Sequence, residues 1–351
     1  MKSKNLLNKK ATNGFTLIEL LISMVLGLIL IGGVYSVFTE NARTSQFVQA
    51  TSRTQENGRF ALSELVTSAR MIGYMGCFAN LDADSDALFN ALAPNPNYDY
   101  YYDLTAGQLD VIDYTGQALP VGLQGVITPT LNTDILVIRG LSSQDYNLAT
   151  AMPTSSAVVK IKEDGNSGIV DGAILYLSDC SKGAVFQAIN STLTASNTVN
   201  SVVHNQKVGE PGNATKDLSI DGTGFSEDAT VQKFETKIFF IAPAAVDPVT
   251  ATAYVNSAGN PILALWQKNG GNAAFELVWG IQDLELWMGE DSSKDGVPDR
   301  IVRPAQLSVP GDSRNVVSLD IRIRANSIDP VGPDMIERDF FASVKFRNRG
   351  L

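Results

Sequence analysis

Gly14-Phe15-Thr16-Leu17-Ile18-Glu19, followed by the uncharged and predominantly apolar run Leu20–Phe38, is the stretch that decides how this chain is organised. The 19 residues from Leu20 to Phe38 rise about 28 Å as a helix, close to the roughly 30 Å hydrocarbon core of a bilayer. An apolar surface all the way round argues against a core helix of a soluble domain, so the run reads as a membrane span. Four lysines (Lys2, Lys4, Lys9, Lys10) and no acid precede it, which places the N-terminus in the cytoplasm and the rest outside. An ordinary secretory signal would be cut after its apolar stretch, yet Phe38-Thr39-Glu40-Asn41 offers no small-x-small site. Glu19 is the anomaly. A carboxylate costs about 2.5–3.5 kcal/mol at a bilayer centre and less near the interface, so its presence calls for a partner charge.

Beyond Phe38 the pattern turns amphipathic. Apolar positions such as Phe47, Val48, Phe60, Leu62, Leu65, Val66, Ala69 and Ile72 alternate with Arg43, Arg53, Glu56, Arg59, Glu64 and Arg70, without an intervening proline. The period predicts one helix from about 15 to 72, its first part in lipid and residues 39–72 lying on a domain, with Gly73 as its stop. Residues 73–351 read as strands and loops. Thr133–Arg139, Ala173–Ser178, Val231–Ile241, Ile262–Gln267, Phe275–Trp279, Val316–Ala325 and Phe341–Arg347 have strand composition. Leu319, Ile321 and Ile323 fall on one face, with Asp320, Arg322 and Arg324 on the other. One long helix and then many strands without alternating helices predicts an α+β fold, the helix packed on a predominantly antiparallel sheet. Residues 80–108 and 190–230 read as long polar connections. The Tyr98–Tyr102 cluster within the first reads as a solvated turn, and His204 in the second as a solvated loop residue.

Composition removes several function classes. The chain of 351 residues has a net charge of -10, and residues 80–299 hold 10 basic against 27 acidic side chains. Such a body repels phosphate, so direct nucleic-acid binding is not expected; residues 300–351, with 9 basic and 6 acidic, are only mildly basic. One histidine and two cysteines exclude a His-rich metal centre or a four-Cys zinc site within one chain. There is no G-x-S-x-G, P-loop or H-E-x-x-H pattern, so an enzyme has no specific support.

The run from Gly14 to Leu21 resembles the class III signal of type IV pilins and of type II secretion pseudopilins. The resemblance implies a cleaved leader, residues 1–14, removed by a prepilin peptidase that cuts between Gly14 and Phe15 and methylates the new amine of Phe15. It also implies a retained helix at 15–38 and an assembly role for Glu19, paired with the Phe15 ammonium of a neighbouring subunit. Further along, Arg70–Cys77, Asp134–Val137, Leu175–Cys180 with Val185-Phe186, Leu277–Leu284 and Phe346–Arg349 resemble the PilW-type minor pilins. That resemblance implies a non-catalytic subunit of pilus initiation or of the tip, supporting adhesion, twitching or DNA uptake. Its partners would be other minor pilins, the major pilin, the inner-membrane assembly platform and a tip adhesin. The rivals are a type II secretion pseudopilin and, from another class, a membrane-anchored periplasmic hydrolase.

Cys77 and Cys180, in an oxidising compartment, read as a disulfide tying the end of the long helix to the sheet. Asp291-Ser292-Ser293-Lys294-Asp295-Gly296-Val297-Pro298-Asp299 sets Asp291, Ser293, Asp295 and Asp299 at the first, third, fifth and ninth places of an EF-hand-like calcium loop, with glycine sixth. Val302 occupies the twelfth place, where that loop needs a bidentate acid, so Glu290 or a distant acid would have to complete the shell. An acidic surface turn is the alternative reading, and no other cofactor is expected.

Overall fold

Thr16 begins the first element. In extended conformation, its hydroxyl accepts the Glu19 N–H at 3.4 Å, and helix α1 then runs unbroken from Leu17 to Ala69 in the computed structural model. The structure describes residues 14–76, 87–102, 107–153, 158–162, 169–189, 199–245, 254–309 and 311–347. The helix ends four residues before Gly73, whose φ of 87° suits only a residue without a side chain. The two halves of α1 differ in surroundings. Every large hydrophobic side chain from Leu17 to Phe38 is more than half exposed. In the second half, Thr54, Gly58, Ala61, Leu65 and Ser68 are buried, a spacing of four and three that keeps one stripe facing the domain.

Among the described residues, the domain contains sixteen strands and a short second helix. The strands are β1 (Leu88–Asn90), β2 (Leu109–Tyr114), β3 (Thr133–Asn147), β4 (Val158–Lys162), β5 (Ile174–Asp179), β6 (Lys182–Gln187), β7 (Val199–Val203) and β8 (Lys207–Val208). They continue with β9 (Gly212–Asn213), β10 (Thr230–Pro243), β11 (Leu263–Asn269), β12 (Phe275–Trp279), β13 (Ile281–Glu290), β14 (Arg300–Val302), β15 (Val316–Asn326) and β16 (Glu337–Lys345). Helix α2 spans Pro96–Tyr102. An eight-stranded sheet has the path β1-β6-β5-β10-β11-β12, with β3 on the other edge of β10 and β2 beyond it. A four-stranded sheet has the order β14-β13-β15-β16. The β1–β6 pair is parallel and the other ladders are antiparallel, so the predicted α+β class with a predominantly antiparallel sheet holds.

Strands β3 and β10 organise the core because both of their faces are covered. Leu136, Ile138, Phe239 and Ile241 point into the cluster shared with Ala61, Leu65 and Ala69 of α1 and with Leu284, Leu286, Leu319, Ile321 and Ile323 of the smaller sheet. Ile135, Val137, Ile238 and Phe240 point the other way, onto Tyr101 and Leu123. The predicted alternation in β15 is met, with its apolar face inside. On the outer face, Arg322 bridges Glu285 and Asp339, each at 2.8 Å, across three strands. The two sheets are tied by Asp134 of β3. Its buried carboxylate receives Arg303 through two bonds, at 2.7 and 2.8 Å, and the Leu286 N–H at 2.6 Å.

Two expectations are corrected. The tyrosine cluster is not a solvated turn but helix α2. Near its end, the Tyr100 carbonyl is capped by the fully buried Arg139, which donates to Tyr100 O at 3.0 and 2.9 Å and to Gly107 O at 3.1 Å, and the Tyr101 carbonyl accepts the Thr236 hydroxyl. Tyr101 is buried and donates its hydroxyl to Gly122 O, while Tyr100 donates to Asp110 at 2.8 Å. His204 is not in a solvated loop either. It is wholly buried with its ring centroid 5.1 Å from that of Phe186, and neither ring nitrogen has a protein partner.

Two predictions follow from this packing. A Cβ on Gly58 would fall 2.2 Å from the Phe340 ring. Gly58→Ala is therefore expected to destabilise by about 1–2 kcal/mol, because overpacking of about 1–3 kcal/mol outweighs roughly 1 kcal/mol of gained helix propensity. Thermal unfolding of the full chain in detergent checks this, and adding Phe340→Leu should recover most of the loss. Burial holds the His204 imidazole down at about 4, against about 6.5 in an unfolded chain. As pH falls from about 6.5, the unfolded chain gains a proton that the folded chain refuses, so stability drops by up to about 3 kcal/mol and levels off below pH ~4. His204→Phe should flatten that slope in unfolding curves recorded between these limits.

Candidate functional site

The site with the strongest chemistry lies at the start of α1. Gly14 and Phe15 precede the helix in open, exposed backbone, with nothing within 4 Å of where a Gly14 side chain would sit. Thr16 is the N-cap and Glu19 the third helical residue, so Thr16-Leu17-Ile18-Glu19 is a T-x-x-E capping pattern that sequence reasoning overlooked. An acid in the first turn is favoured by the helix dipole by about 0.3–1 kcal/mol. Glu19 is exposed, and its carbonyl accepts the Ser23 hydroxyl at 2.7 Å. Around and above it the apolar surface of residues 17–38 has no cover from the rest of the molecule. By length and composition α1 is apolar enough to cross a membrane.

The acidic loop behaves differently from the calcium reading. Gly296, at φ 80°, allows the reversal that the sequence suggested. The oxygens of Asp291 turn onto the loop's own donors, Gly296 N–H at 2.7 Å, Asp295 N–H at 3.3 Å and the Ser293 hydroxyl at 3.1 Å. Asp299 accepts the N–H groups of Ser292 and Ser293 at 2.7 and 2.9 Å, and Asp295 accepts that of Val297 at 2.8 Å. Burial works to raise the Asp291 carboxyl, but these hydrogen bonds hold it below the usual carboxylate range. Glu290, the candidate for completing the shell, is committed to Arg300 at 2.6 and 2.9 Å and to Ser308 N–H at 3.0 Å. Among the described residues, no group of three or more His, Cys, Asp or Glu side chains is placed to hold a metal. As placed, the loop is a hydrogen-bonded acidic turn whose carboxylates serve its own amides and hydroxyl.

Cys180 sits at the turn between β5 and β6 and is not a free thiol. Cys77 lies outside the described residues, as do residues 1–13 of the leader, the acidic stretch Asp82–Asp86, and Asn348 and Arg349 of the terminal motif. The inner motifs that resemble minor pilins fall on structural positions. Asp134 makes the tie between sheets, Leu175 and Leu177 are core, and Phe346 is buried. Trp279 and Gly280 lie where the chain leaves one sheet for the other; Trp279 O accepts Asn57 of α1 at 3.1 Å.

Asp291→Ala should lower the thermal midpoint by the same amount with calcium or with chelator. A midpoint of the parent chain that rises with millimolar calcium and falls on chelation would restore an ion to this loop.

No curated protein and no solved structure shows significant similarity to the chain. Residues 9–35 match the prokaryotic N-terminal methylation motif, and this places a type IV pilin-like signal on the segment whose geometry is described above.

Proposed function

We propose that the chain is a minor pilin, a non-catalytic subunit that enters a type IV pilus through α1 and carries its β domain at the fibre surface or tip. One observation supports this above the rest. A single helix joins a bare apolar half, starting at the methylation motif, to a half packed on a large domain. Membrane anchoring before assembly fits the same helix. Cutting after Gly14 would leave the Phe15 ammonium two residues before the first helical residue, Leu17, beside the positive end of the helix dipole. That charge needs a carboxylate, and the Glu19 of a neighbouring subunit would supply one in a dry helical core. The partners on this reading are other minor pilins, the major pilin, prepilin peptidase and the assembly platform. A Cys77–Cys180 bridge belongs to the same proposal. It would fasten the chain just after α1 to the β5–β6 turn, by about 4.7 kcal/mol on the chain-entropy model.

The mature chain should begin at Phe15 with a methylated amine, and Gly14→Asp should leave the leader in place. Glu19→Ala should still reach the membrane and be cleaved, yet be depleted from sheared fibres by about tenfold or more, as expected for a lost buried charge partner. Mass spectrometry of membrane and fibre fractions, digested without reductant, checks all of these together. Fibres containing Met1, normal incorporation of Glu19→Ala, or unlinked Cys77 and Cys180 peptides would each remove the corresponding part.

A further inference from the structure

The β domain holds a cleft of about 440 Å³ beside α2 that assembly through α1 does not use. Tyr98 and Tyr102 are four residues apart and so share one face of α2, turned to the cleft, while Tyr101 points into the core. Both cleft tyrosines are half-buried and firmly seated. The Tyr102 ring meets Phe234 edge-on at 6.1 Å. The turn between β11 and β12 closes on them because Gly270 and Gly271 lack side chains. A Cβ there would lie 2.8 Å from the Tyr102 oxygen and 3.0 Å from the Tyr98 ring.

The rest of the lining is polar. Asn269, whose Oδ1 accepts Gln267 at 2.7 Å, and Asn272 bring side-chain amides from either side of the Gly270-Gly271 turn, and Glu210 and Glu235 bring exposed carboxylates. Asp171, Glu210 and Glu235 against Lys233 leave the lining with a net negative charge. That charge disfavours phosphates, nucleotides and acidic sugars. The lining is too polar for a lipid chain, and the volume lies within the usual range for small-molecule sites, about 300–1,000 Å³. Flat aromatic faces beside clustered hydroxyl-bonding groups match a ring that is apolar on its C–H face and ringed with hydroxyls.

We propose that this cleft binds an uncharged pyranose sugar, one ring lying on Tyr98 or Tyr102 and its hydroxyls meeting Asn269, Asn272 and Glu235. The proposal does not depend on assembly into a fibre.

The test uses the full chain in a detergent that carries neither a sugar nor a choline headgroup. Lactose, maltose and diacetylchitobiose are titrated by saturation-transfer NMR and calorimetry, with 3′-sialyllactose, inorganic phosphate and choline as comparators. At least one neutral disaccharide should bind saturably, and more tightly than every comparator. Tyr98→Ala should weaken it by about tenfold, the scale of one lost aromatic contact. Glu235→Gln, at an exposed strand position where folding is not at stake, should weaken it several-fold with an unchanged thermal midpoint. The same disaccharide coupled to beads through its reducing end separates the sources: retention shows that a glycan terminus is accepted, and binding of the free sugar alone shows a soluble ligand. No saturable response from the three disaccharides, tighter binding of any comparator, or affinity unchanged in both variants would overturn the proposal.

Discussion

One helix with two incompatible surroundings is the constraint on which the rest of this molecule depends. Residues 17–38 present an apolar surface that the described residues leave bare, while one stripe of residues 54–69 is buried against the smaller sheet. Water would oppose the first half at about 25 cal/mol per Å² of apolar surface, so that half needs lipid or neighbouring helices. The second half must meanwhile hold the domain at a fixed angle, since no break or cap separates the two. Small residues make that possible. Gly58 and Ala61 bring the helix axis close to β15 and β16, with Phe340 over Gly58 where any side chain would collide.

The domain below the helix is held by a buried charge pair as well as by packing. Asp134 comes from the larger sheet, while Leu286 N–H and Arg303 come from the smaller sheet and the segment after it. Three donors converge on one carboxylate, and Arg303 also reaches Leu286 O at 3.1 Å and Asp113 at 3.3 Å. Removing one partner of such a pair costs about 3–5 kcal/mol because the other charge stays buried, whereas replacing the whole set with apolar groups is often neutral. The pair therefore fixes which face of β3 meets which edge of β13 more than it adds stability. Hydrophobic contact between the sheets has no such directionality.

Where local chemistry and tertiary burial agree, the sequence was legible. The extent of α1, the glycine after it, β12 and the two faces of β15 all follow from period, caps and composition. The same alternation runs through β13, with Leu284, Leu286 and Met288 inside and Glu285 and Trp287 outside, although a motif reading of 277–284 passes over it. Misreadings arose where a distant residue changed the meaning of a local one. Four tyrosines just after Pro94 and Pro96 look like a turn until Arg139, far along the chain, caps the Tyr100 carbonyl. His204 in a polar stretch gives no sign that Phe186 will cover it. For the acidic loop, spacing says which oxygens can converge but not which donors they will meet first. In this loop the nearest donors are its own amides.

Glu19 brings the local and assembled levels together. Within one chain it has a sufficient reason to exist, as the acid of a T-x-x-E start whose N–H is taken by Thr16. That reason explains only a few tenths of a kcal/mol to about 1 kcal/mol, less than the cost of carrying a carboxylate toward hydrocarbon. An aspartate, asparagine or serine at the cap would serve the helix start equally well, without a charge three residues inside it. The excess cost points to a contact that an isolated chain does not make. On the proposed function, the free amine that cleavage after Gly14 would create is the positive charge that the signal itself would provide. Capping and assembly would then favour the same carboxylate in succession: first orienting the helix start in the membrane, then pairing it once lipid is exchanged for neighbouring helices.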